Sequence, residues 1–245
     1  MQKEPMSQKN LSSPVNSVQI AGEASSFLDM LEVYNVCVKI GRCSEELLNF
    51  LIDMELVALN AEIASAHARQ NQEAFSVLSS EAGNVAKRMS EAIARITGRT
   101  DALSRSSLNG IVQARLSQKL LDVPGGPETK AQIRPASSLA ISAGIHRSEE
   151  SVRQTARQIE AALDEISVVL NQILRENKRF ETIATYFSIE ASRDPESQAY
   201  FSNIAQMLRS ICAQTRDCIQ IMGVQTHQPR LADMIHREPF SWDAA

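Results

Sequence analysis

The 245-residue chain is poor in what sheets and catalytic loops are made of. Aromatic residues make up 4% of it and glycine occurs only nine times. Strands draw on aromatic side chains and on Gly-rich turns, so this scarcity argues for long helices with Ala and Leu seams. Charge of one sign is also missing: the net charge of −4 offers nothing that nucleic-acid phosphates would reward. No run of about 18 apolar residues occurs, so no membrane span is expected. The first residues lack the apolar core of a secretory signal. The four cysteines lie at 37, 43, 212 and 218, spaced unlike the close pairs of zinc sites. They read as small buried thiols, and the expectation is a cytoplasmic, reduced protein without metal or cofactor. The four histidines at 67, 146, 227 and 236 are scattered. There is no phosphate-cradling Gly loop, no His-Glu-x-x-His and no nucleophile elbow, so no enzyme activity is expected.

What the chain does have is heptad spacing. Val33, Cys37, Ile40, Ser44, Leu47, Leu51, Met54, Ala58, Ala61 and Ser65 follow one another in alternating steps of four and three. That spacing turns one helix face continuously towards a partner. A polar stretch near Arg69 to Glu73 reads as a tight turn. The pattern then resumes at Phe75, Leu78, Ala82, Val85, Met89, Ala92 and Ile96. Small residues just before the turn let the two backbones approach closely.

Residues 1–20, with Pro5 and Pro14, read as a disordered leader. Residues 21–121 form the first helical hairpin. The segment 122–136 holds Pro124, Gly125, Gly126, Pro127 and Pro135 and is read as a linker. Residues 137–223 carry a second hairpin. Its seam runs Val152, Ala156, Ile159, Leu163, Ile166, Leu170, Ile173, Asn177, Phe180, Ala184, Phe187 and Ala191. It continues after Asp194-Pro195 through Phe201, Ile204, Leu208, Ile211, Thr215, Cys218 and Met222. Residues 224–245 lose the period and form a tail. A single shift of 126 residues carries Phe75 onto Phe201, Ile63 onto Ile189 and Ala58 onto Ala184. The chain therefore reads as an all-α duplication: two long antiparallel helical hairpins making a four-helix coiled-coil bundle. One chain could close the bundle as a monomeric pseudo-dimer, or two chains could share it as a homodimer.

Ala58-Leu59-Asn60-Ala61, followed by Ala66, Ala68, Phe75, Val77, Glu81, Asn84, Ala86 and Arg88, resembles the cytoplasmic hairpin tip of bacterial methyl-accepting chemotaxis proteins. In the second hairpin, Ile189-Glu190-Ala191-Ser192-Arg193 is similar to the same tip. The resemblance implies a four-helix signalling bundle whose tip binds a histidine kinase and its coupling protein. The departures lie in the turn, where Arg69, Gln72 and Ala74 stand in place of the family's glycines. Ala64 and His67 likewise replace its Glu and Arg.

The expected function is that of a chemoreceptor-like signalling or adaptor protein, acting by bundle packing and by protein contacts at the tips. The candidate contact residues are Asn60, Ile63, His67, Phe75, Glu81, Asn84, Arg88, Glu190 and Arg193. Phe240 and Trp242 are candidate anchors in the tail, since exposed aromatics dominate small interfaces. Two alternatives stay open. One is a structural scaffold with no chemotaxis role. The other is a regulator or phosphatase of a response regulator, for which Glu81 and Asn84 have a fitting i, i+3 spacing.

Overall fold

The computed structural model describes residues 15–66, 72–122, 135–196 and 198–226. The fold is all-α. Helix α1 runs Val15–Ser65, α2 Gln72–Asp122, α3 Pro135–Arg193 and α4 Gln198–Thr226. Each helix packs on its neighbours in sequence, and α1 also packs on α4. The backbones of α1 and α3, and those of α2 and α4, do not come within 8 Å of one another, so these pairs are diagonal. The chain thus goes up, down, up and down around a square bundle. The last turns of α1 and α3 and the first turns of α2 and α4 lie together at one end, the tip.

Every heptad position read from α3 and α4 is buried, and so is every one of the ten named in α1. In α2 the seam is buried except at Leu78, which is partly covered. Several buried hydroxyls are satisfied within their own helices. Ser44, Ser79, Thr100 and Ser107 each donate a hydrogen bond to the carbonyl four residues back, at 2.7–2.9 Å. Such a bond satisfies a buried hydroxyl without a cross-helix partner.

Three boundaries differ from the sequence reading. Helix α1 already runs at Val15, so the leader expected to be disordered as far as residue 20 is helical in its last part. Adding a residue to an existing helix is cheap compared with starting one, so α1 extends back to the residue after Pro14. Helix α3 starts at Pro135, which suits the first helical position because its missing N–H would have no partner there. Helix α4 runs past Gly223 to Thr226. Of the turn expected at Arg69 to Glu73, residues 69–71 lie outside the described residues, and Gln72 and Glu73 already belong to α2.

The hairpins are unequal. Helix α3 has 59 residues and α4 only 29. Asn177 meets Cys212, and Glu46 meets Cys218, so α4 lines the tip half of the bundle. The other half consists of α1, α2 and α3. There Ser148 of α3 donates to the Gln113 carbonyl of α2 at 2.7 Å. Gly110 of α2 lets Met30 lie against the helix backbone; a Cβ at that position would sit 2.8 Å from the Met30 sulfur.

Candidate docking site at the tip

Four helices supply the tip, and its centre is aromatic. Phe75 of α2 stacks on Phe201 of α4 with ring centroids 3.5 Å apart and planes 4° from parallel. Phe187 of α3 lies 6.3 Å from the first ring and 6.0 Å from the second. All three rings are fully enclosed. Ala61 of α1 is fully buried too. It lies 126 residues before Phe187, so the seam position that holds a ring in α3 holds only a methyl group in α1. Tyr200 packs edge-on against Phe201 at 5.7 Å, and its hydroxyl donates to the Asn60 carbonyl at 3.3 Å, fastening α4 to α1. Asp194 forms the start of the second turn: its carboxylate accepts the Glu196 N–H at 3.2 Å, and its own N–H reaches the Ala191 carbonyl.

The expected contact residues separate into three groups. Phe75 is a core residue, not a surface one. Its ring closes the aromatic stack, so it leaves the docking set. Asn60, Ile63, Glu81, Asn84 and Arg193 are exposed, while Arg88 and Glu190 are half-buried. His67, Phe240 and Trp242 lie outside the described residues. Glu190 and Arg193 pair with one another at 2.9 Å along α3. Arg88 spans two helices. Its Nε donates to Glu176 of α3 at 3.1 Å and its Nη2 to Glu81 at 3.4 Å. Partial burial opposes its charge, but the two carboxylates outweigh that, and its pKa is raised. Glu176 also takes Arg179, both contacts at 3.1 Å. Glu81 is therefore tied into a clamp between α2 and α3.

Sequence reasoning did not single out one surface feature. Ile52, Leu56, Leu59 and Ile63 are 52–55% exposed, although all are large and apolar. Their steps of four, three and four form a second heptad row on α1, displaced by two residues from the buried seam. Two residues are about 200° round a helix, so this row points away from the core. Glu45, Glu46, Asp53, Glu55 and Glu62 accompany it, and no Lys or Arg occurs between Arg42 and Ala66. The signal was available in the sequence: α1 is apolar on two faces, and only one could be inside.

No other described feature offers chemistry. The described residues contain no group of three or more His, Cys, Asp and Glu able to hold a metal ion. An open groove of about 670 Å³ between α2 and α3 is walled by Arg99 and Glu165, which pair with each other at 2.7 Å. The thiols are buried and unreactive in character. Burial pushes Cys212 up to about 12. Burial, then the hydrogen bond to Glu46, does the same for Cys218. No family model, curated protein or solved structure matches the chain. No described helix is long and apolar enough to cross a membrane.

Proposed function

We propose that this chain is a helical signalling or adaptor protein of the chemoreceptor type, working in the cytoplasm of a bacterium through protein contacts at its tip. The observation that carries this is the row Ile52, Leu56, Leu59 and Ile63, exposed on α1 and rising towards the tip. Water-exposed apolar residues in a continuous row mark an interaction surface more than a solvated one. The neighbouring carboxylates select a partner with an apolar strip edged by Lys or Arg. The likeness of Ala58 to Arg88 to a chemoreceptor tip nominates a chemotaxis histidine kinase or its coupling protein. Small seam residues at this end, Ala58, Ala61, Ala82 and Ala86, give a bundle that can exchange between packings of similar energy when a partner binds.

Capture by purified kinase and coupling protein tests the reading. Wild-type protein is retained, and Leu56→Glu with Leu59→Glu lowers retention at least tenfold while leaving the helical spectrum unchanged. If neither partner retains the wild type, the signalling reading falls and a structural scaffold replaces it.

A further inference from the structure

The exposed row on α1 does not stop at Ile52. Continued towards the base it passes Asn49, Glu45, Arg42, Val38, Asn35, Leu31 and Leu28, and every one of these positions is exposed. Leu28, Leu31 and Val38 are large apolar side chains left 59%, 39% and 40% in water. The steps remain three and four throughout, so α1 carries a complete second seam over ~50 Å of helix. It is apolar at both ends and polar in the middle.

That arrangement is self-complementary when reversed. In an antiparallel coiled coil the two alternating seam positions face one another across the interface. Sliding α1 along an inverted copy of itself gives one register in which opposite charges meet at the centre. Arg42 then faces Glu45 of the second copy, and by symmetry Glu45 faces its Arg42. In the same register Leu28 faces Leu59, and Leu31 faces Leu56. Lys39 falls on the edge that carries Glu46 and Asp53. A parallel pairing would instead set each charge against its own kind. Asn35 and Asn49 stand opposite Ile52 and Val38, which weakens the contact and makes it reversible.

We infer that a second copy of this chain docks antiparallel along the outer face of α1, held by apolar ends and a central Arg42–Glu45 exchange. The inference goes beyond the proposed signalling role and does not depend on who the tip partner is. It has a consequence for that role. The second copy covers Ile52, Leu56 and Leu59, so self-association and tip binding exclude one another.

Sedimentation of the full chain at about 100 µM is expected to give a mass near twice 27.0 kDa. Arg42→Glu alone weakens association at least tenfold, because Glu then faces Glu. Adding Glu45→Arg restores it. Both positions are exposed, so the fold survives either change, and the helical spectrum verifies this. Orientation is read by oxidation with copper phenanthroline. Leu28→Cys mixed with Leu59→Cys gives a linked dimer, and neither variant links to itself. A mass of 27.0 kDa at this concentration overturns the inference, as does self-linking of each variant or failure of the charge swap to restore association. Leu28→Glu separates the two claims: it gives a monomer that still binds the tip partner if the signalling role holds.

Discussion

Phe75 and Phe201 occupy equivalent places in the two hairpins, and their rings meet face to face at 3.5 Å across the bundle centre. They belong to α2 and α4, which are diagonal in the bundle. The same 126-residue offset that separates Phe75 from Phe201 separates Ala61 from Phe187, one small and one large.

Removing either ring of the pair opens a cavity in a closed core. Phe75→Ala and Phe201→Ala are each expected to lower stability by about 3–5 kcal/mol. The double variant loses less than the sum, since each single change already breaks the stack. Urea unfolding of all four proteins in a double-mutant cycle measures this; strict additivity would contradict a shared stack.

Asn177 is a polar residue on an otherwise apolar seam. Its Nδ2 donates to the Cys212 carbonyl at 3.0 Å, while its Oδ1 is buried without a hydrogen-bond partner. A buried unsatisfied oxygen costs about 1–3 kcal/mol. Asn177→Leu is expected to raise the melting temperature, with thermal unfolding as the readout. A drop would show that the amide orders the α3–α4 register by more than it costs.

The glycines of α2 are not equivalent. At Gly83 and Gly98 an added Cβ would meet nothing within 4 Å. Gly→Ala there is expected to stabilise by about 0.5–1 kcal/mol through helix propensity alone. At Gly110 the new carbon would crowd the Met30 sulfur at 2.8 Å and Thr155 at 3.3 Å. Gly110→Ala should therefore gain less than the other two or lose stability. Denaturant midpoints of the three variants rank them.

Folding stability should fall in alkali. In the folded state Cys212 and Cys218 hold their protons to about 12, against an ordinary 9.0. The folded protein then binds more protons than the unfolded chain, and stability drops as pH rises above about 9 towards 12. Below that window these thiols add no pH dependence. Urea midpoints at pH 7.5, 9 and 10.5 test this, with Cys212→Ala expected to show a shallower fall than wild type. Native thiols should also react slowly with an alkylating reagent at pH 8, and rapidly once unfolded.

Much of this architecture could be read from the chain. Heptad spacing fixed the helices and chose the buried face of each, because a stripe recurring every three and four residues has one direction in which to hide. The heptad frame on either side of two breaks pointed to two hairpins, and the scarcity of glycine and aromatics argued against a sheet. Spacing along one helix says nothing about how many neighbours surround it. Only packing set α2 and α4 on a diagonal, which brings the seam residue Phe75 face to face with Phe201 across the core. Only packing left the second row of α1 in water, since α1 meets just two neighbours in the bundle and its opposite side faces neither. Burial is decided by which helices come together in three dimensions, and a one-dimensional pattern records the stripe without recording what covers it.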